Sequence, residues 1–206
     1  MSLKGNERNI MAQGDLVEAA RALTKEDLEE LVGCLSSKDD KARYQAFLLL
    51  QSRSLYSPDV YPYWSTFQSK LQSSNSYQRS LGVMLLAENV KWDVGNQIDS
   101  TIDECLLLLN DEKLITRRQC IEALGKIALE KPHLDGRISS ALFALNLTAV
   151  KETMRKSMLL DILKVLCSIR KRYKAPEIES FITNALASGI LDTKAKKQVE
   201  NLIQGT

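Results

Sequence analysis

The chain has little that interrupts a helix and little that does chemistry. Four prolines and nine glycines occur in 206 residues, and these are the residues that break helices. Aromatics make up 6%. The longest apolar runs, such as Leu106–Leu109, fall far short of the roughly 20 residues that cross a bilayer, so no membrane association is expected. The first residues lack the charged, apolar and small-residue layout of a secretory leader. The cysteines, at 34, 105, 120 and 167, form no CxxC pair. Each falls on an apolar helical face, which reads as a buried free thiol in a reducing cytoplasm. His133 is the single histidine. It follows Pro132 in a turn, with no nucleophile or orienting acid at recognisable spacing. Asp99, Asp103 and Glu104 make an acidic helical face that reads as solvated rather than as an acid–base pair. There is no phosphate loop, GxGxxG or nucleophile elbow. The expectation is a non-enzyme with no cofactor, no metal site and no small-molecule substrate.

What the chain does have is a repeat. A leucine stands eight positions before an arginine in four places: Leu35 with Arg43, Leu71 with Arg79, Leu109 with Arg117, and Leu147 with Arg155. The arginines lie 36, 38 and 38 residues apart. Three, four and seven positions after each stand Ala46, Phe47 and Leu50; Gly82, Val83 and Leu86; Cys120, Ile121 and Leu124; and Met158, Leu159 and Ile162. That spacing puts them on one face of a helix. A fifth copy, shifted by one, opens at Lys194–Ala195 and is expected to bury Val199 and Leu202. Each unit is a helical hairpin whose apolar face needs a neighbour to cover it, which is the signature of a helical solenoid.

The third copy, LLLLNDEKLITRRQCIEALGKIA, resembles a HEAT repeat. Asp111 in the turn, Arg117 at the start of the second helix, and Ala123–Leu124 match that pattern. In the other copies the turn aspartate is Ser37, Ser73 or Ala149. The resemblance implies an all-α fold: an α–α superhelix, a right-handed solenoid of about five HEAT-like hairpins. HEAT-like arrays include scaffolds, transport receptors, regulatory subunits and DNA-repair enzymes, so the resemblance alone does not choose a function.

Residues 1–13 read as a flexible segment and 14–206 as one repeat domain. Asp15–Leu23 reads as a short helix, and Thr24 as the N-cap of the next. Breaks at Pro58, Gly95, Pro132 and Pro176 follow the repeat arginines by 15, 16, 15 and 21 residues. The fourth second helix is therefore expected to be longer by over one turn, unless the excess is loop.

The repeat arginines themselves read as structural, binding turn carbonyls and neighbouring carboxylates. The candidate site is the face lined by the second helices, on the concave side that the resemblance implies. Positions one, five and nine after each arginine point away from the core. Tyr44, Leu48 and Met84 are expected to form an apolar patch there, with Glu88, Arg118, Glu122, Lys126, Lys156 and Lys164 as its charged continuation. Asp15–Leu23 could cover Tyr44 and Leu48, or cap the open end of the first hairpin. The second is expected, leaving the groove to a partner helix. Residues 151–206 hold 11 Lys and Arg against 6 Asp and Glu, whereas 1–150 hold 17 against 20. Arg170, Lys171, Arg172 and Lys174 make a basic patch in the richer part. The function read from this is a non-catalytic, cytoplasmic interaction module, monomeric alone, that binds a protein or peptide on its concave face. The runner-up is a nucleic-acid binder using the basic patch with Lys156, Lys164, Lys194, Lys196 and Lys197.

Overall fold

The computed structural model describes residues 13–204, which hold eleven α-helices and short 3-10 turns with no strand among them. The fold is all-α. By its internal contacts the chain divides into two compact units, Met1–Ser65 and Thr66–Thr206. Residues 1–12 of the expected flexible segment lie outside the described residues, and Gln13 opens the first helix.

The first unit holds α1 (Gln13–Arg21), α2 (Lys25–Cys34), α3 (Asp40–Ser54) and a 3-10 turn at Pro58–Tyr63. Thr24 starts α2 with a capping box: its hydroxyl accepts from the Asp27 N–H at 3.2 Å, and the Asp27 carboxylate accepts from the Thr24 N–H at 2.9 Å. Asp39 caps α3. Four adjacent residues of α3 (Ala46, Phe47) and (Leu49, Leu50) flank Leu48 and are all buried. A helix so apolar all round needs cover on more than one side. It has that cover, because α1, α2 and the 3-10 turn all pack on α3.

Arg53 of α3 fixes α1 in place. Its Nη1 donates to the Ala20 and Arg21 carbonyls at 3.1 and 2.7 Å, oxygens the helix end leaves without partners. Its Nε and Nη2 donate to both oxygens of Asp59. The Arg21 guanidinium lies 4.7 Å from the Tyr56 ring centroid. The first helix is thus seated on α3. It leaves Tyr44 exposed and Leu48 half-buried. Of its apolar residues only Ala20 is fully buried; Leu16 and Val17 are partly covered. Deleting residues 1–23 is expected to cost about 2 kcal/mol, one to two side chains' worth of burial. A lower urea midpoint with increased binding of an apolar dye would show it; an unchanged midpoint would mean α1 is not part of the folded unit.

From residue 64 onward, hairpins follow one another. The first helices are α4 (Trp64–Lys70, crossing the unit boundary), α6 (Ile98–Leu107), α8 (Asp135–Phe143) and α10 (Pro176–Ala187). The second helices are α5 (Ser76–Asn89), α7 (Leu114–Glu130), α9 (Glu152–Arg170) and α11 (Thr193–Gln204). Within the second unit α5 packs on α7, α7 on α9, and α9 on α11. The first helices are linked in the same order. Glu104 of α6 accepts from Gln68 at 2.6 Å and Gln72 at 3.0 Å, Asp103 pairs with Arg137 of α8, and Phe143 of α8 meets Phe181 of α10 at 5.5 Å between ring centroids. Within the Thr66–Thr206 unit, helices one sequence period apart are therefore linked in both sets.

All twelve positions three, four and seven after the repeat arginines are buried. In the fifth copy Ala195 and Val199 are buried, but Leu202 at the chain's end is only half-buried. The arginines perform one structural task in every copy. Arg43 donates to the Ser37 carbonyl at 2.6 Å, Arg79 to that of Ser73 at 2.7 Å, and Arg117 to that of Asp111, each six residues back. Arg155 donates instead to the Thr148 and Val150 carbonyls at 2.9 and 2.8 Å, seven and five residues back.

Helix α9 is the longest, with 19 residues against 17 in α7. It exceeds α3 and α5, at 15 and 14 residues, by more than a turn, and α7 by two residues. The remainder before Pro176 is turn and loop, since the residue ahead of a proline is pushed away from helical geometry.

Candidate functional site

The cysteines and the histidine are placed as structural groups. All four thiols are free; Cys105, Cys120 and Cys167 are buried, and Cys34 is half-buried. Burial pushes the Cys105 thiol up to about 12 and raises Cys120 and Cys167, so their nucleophilic thiolate forms are suppressed at neutral pH. The Cys120 thiol donates to the Cys105 carbonyl at 3.2 Å. His133 Nε2 lies 2.7 Å from Asp99 Oδ1 in an exposed pair. Among the described residues no group of three or more His, Cys, Asp or Glu could hold a metal ion, and no helix is long and apolar enough to cross a membrane. The acidic face of α6 is engaged rather than merely solvated: Asp99, Asp103 and Glu104 all bond to neighbouring repeats.

The second-helix residues of the Thr66–Thr206 unit come together as an ion-paired face. Lys126 of α7 donates to Glu88 of α5. Arg118 of α7 donates through Nε to Asp161 Oδ2 of α9 at 2.6 Å, and Lys164 Nζ lies 3.8 Å from Asp161 Oδ1. Lys156 donates to Asp192, ahead of α11, at 2.8 Å. The Asp161 hydrogen bond raises the already high pKa of Arg118. Glu122 is exposed one turn from both Arg118 and Lys126; Met84 and Leu160 are half-buried in the row between the charges.

One expectation about this face needs correction. Positions one, five and nine do not all point into solvent: Ser52, Ser80 and Glu88 are buried. In the second unit the cause is visible. Parallel second helices lie side by side, so position one of α5 faces α7, where the Ser80 hydroxyl donates to Thr116 Oγ1 at 3.0 Å. Glu88 is drawn down against Lys126 in the same way. Tyr44 and Leu48 belong to the Met1–Ser65 unit and Met84 to the other, and each is described with its own unit. The structure also adds Asp161 and Asp192, which the sequence reading missed. The available signal for Asp161 was its i, i+3 spacing from Lys164.

The two arginines of the basic patch are engaged within the fold. Arg170 pairs with Glu179 at 2.5 Å. Arg172 holds both oxygens of buried Asp135 at 2.8 Å and also donates to the Ala128 carbonyl. Lys171 and Lys174 are exposed beside them. Lys194 and Lys197 line a shallow open hollow on α11 with Gln198, Asn201 and Leu202, while Lys196 is half-buried.

No family profile matches the chain, and no curated protein matches it in sequence. The crystal structure of an engineered protein from the Northeast Structural Genomics Consortium is similar in fold, with a TM-score of 0.54 over 92% of this chain and 86% of that one at 16% identity. At that identity the likeness concerns the arrangement of helices alone.

Proposed function

We propose that the chain is a non-catalytic protein-interaction module of HEAT-like α–α superhelical architecture, whose second-helix face receives a protein or peptide. The recurring arginine-to-turn bond and the links from each helix to its counterpart one repeat along support the superhelical reading. The observation that carries the function is the composition of the face on α5, α7 and α9. Half-buried Met84 and Leu160 stand among ion pairs whose outer members remain accessible. Mixed apolar and charged surface on rigid helices is what interfaces use. Tyr44 and Leu48 on α3 offer a separate apolar contact in the other unit. A nucleic-acid role draws less support, since Arg170 and Arg172 are held by Glu179 and Asp135. The four free cysteines suit a reducing cytoplasm.

The test is capture from a native lysate, with and without nuclease, by the native chain and by Met84→Asp. The reading expects protein retained despite nuclease and lost with Met84→Asp at an unchanged melting temperature. Retained material that vanishes on nuclease treatment would transfer the function to nucleic acid.

A further inference from the structure

We propose that the second-helix face of the Thr66–Thr206 unit binds an acidic peptide segment, with Arg118, pinned by Asp161 beside Lys164, reading one of its carboxylates. This rests on the interaction reading above and names the partner's chemistry.

The ion pairs among α5, α7 and α9 differ from those between α6 and α8 in which member lies outside. On the first-helix layer, Asp103 is more exposed than Arg137, and Asp99 about as exposed as His133. In the pairs among α5, α7 and α9 the base is outermost, whereas at Lys156–Asp192, ahead of α11, the acid is slightly the more exposed. The Lys126 side chain is 40% exposed over a Glu88 at 8%; Arg118 and Lys164 are 34% and 52% exposed over the Asp161 they share, at 16%. The recessed carboxylates hold these cations in position and leave their outer sides open. Asp161 serves two cations, and Glu122, one turn from Arg118, is the second acid of this group.

Arg118 is the best disposed of the three. Its Nε–H is taken by Asp161, which fixes the plane of the guanidinium. The N–H groups on its two terminal nitrogens have no acceptor among the described residues. A guanidinium held this way presents a two-pronged edge matched to the two oxygens of a carboxylate. Part of the ordering cost of binding is already met by the pinning. Glu122 then discriminates between anions. It stands exposed between Arg118 and Lys126, where closely spaced phosphates of a nucleic acid would be forced against it. A peptide whose acids are a turn apart can address Arg118 and keep clear of Glu122. Met84 and Leu160 can accept apolar residues of the same segment.

The experiment measures fluorescence anisotropy with three probes. Two are matched pools of helical peptides with leucines fixed and either Glu or Gln at the remaining exposed positions; the third is a duplex DNA oligonucleotide. The full chain is compared with Arg118→Gln, Lys164→Gln and Arg118→Lys, and melting temperatures are recorded for all. The Glu pool is expected to bind the native chain at least about tenfold more tightly than the Gln pool, as a charge-assisted bidentate contact allows. Arg118→Gln should erase most of that preference with little change in melting temperature, because the pair is partly exposed. Arg118→Lys keeps the charge but not the fork, and should recover only part of the preference; it serves as well if Arg118→Gln folds poorly. Equal binding of the two pools, a preference untouched by Arg118→Gln, or tighter binding of DNA than of the Glu pool would overturn the proposal. A lysate protein captured equally by native and Arg118→Gln chains, yet lost with Met84→Asp, would overturn the acidic-peptide assignment while leaving the interaction module standing.

Discussion

Replacing Asp111 by alanine is expected to cost about 3–5 kcal/mol, the range for removing one member of a buried ion pair. Asp111 and Arg79 are both well buried, and Arg79 donates to both carboxylate oxygens, at 2.5 and 3.0 Å. The same carboxylate accepts from the Lys113 N–H at 2.8 Å and starts the turn into α7, while its backbone carbonyl takes Arg117. The truncation would leave Arg79 charged and without its main partner. For a chain of this size the loss corresponds to a melting temperature lower by roughly 10 °C.

Acidity should reproduce part of this effect. Burial pushes the Asp111 carboxyl up, but the Arg79 hydrogen bond, the Lys113 N–H and the nearby arginine charges outweigh it and hold its pKa below the usual carboxylate value. A depressed folded pKa means the stabilisation is fully present above the unfolded value of about 3.9 and is lost as pH falls below it. The stability gap between the native chain and Asp111→Asn should therefore be constant near neutrality and close below about pH 4. A gap that stays constant into that acid range would show that the carboxylate's charge is not what stabilises the turn.

The second large effect is expected at Gly82, in the middle of α5. Mid-helix glycine normally costs about 1 kcal/mol relative to alanine, so propensity alone favours Gly82→Ala. Packing reverses the sign. A Cβ there would stand 2.6 Å from the Phe67 carbonyl oxygen and 3.0 Å from Lys70 Cβ, so α4 would have to move. We expect a net loss of about 2–4 kcal/mol, at or above the usual cost of overpacking because the obstacle is backbone. Gly33 of α2 is the internal control. Nothing lies within 4 Å of its Cβ position, so Gly33→Ala should be neutral or stabilise by about 0.5 kcal/mol. Paired denaturation curves decide it; equal effects at the two glycines would mean α4 does not constrain α5.

The difference between these glycines marks where the sequence stops being informative. Periodicity alone placed Val83, Leu86, Ile121 and Ile162 in the core, because a repeating apolar face has one interpretation. It also gave the structural role of Arg43, Arg79, Arg117 and Arg155, since a basic residue one turn into a helix sits beside carbonyls that need donors. Partner choice was not legible. Nothing local tells Arg172 to seek Asp135, 37 residues away, or sends Arg170 to Glu179. Those pairings follow from how hairpins are seated on one another, and they engage two of the four residues of the expected basic patch. Glu88 misled for the same reason: its place on the helix wheel looked solvent-facing, while the neighbouring helix supplied Lys126 and closed over it. Seating α1 on α3 likewise depended on Arg53, whose targets are backbone oxygens 32 and 33 residues back that no side-chain pattern announces.

The reach of the links between counterpart helices has a kinetic consequence. The bonds joining Gln68 to Glu104, Ser80 to Thr116, Glu88 to Lys126 and Lys156 to Asp192 each span 36 or 38 residues. A chain segment two hairpins long therefore holds everything needed to make such a bond. No loop much longer than that has to close first, and closure entropy grows with loop length. Assembly in the Thr66–Thr206 unit can begin at any adjacent pair and spread outward, at a rate set by local encounters rather than by the length of the whole polypeptide. A hairpin emerging from the ribosome finds its counterpart already made, so the order of synthesis and the order of assembly can coincide.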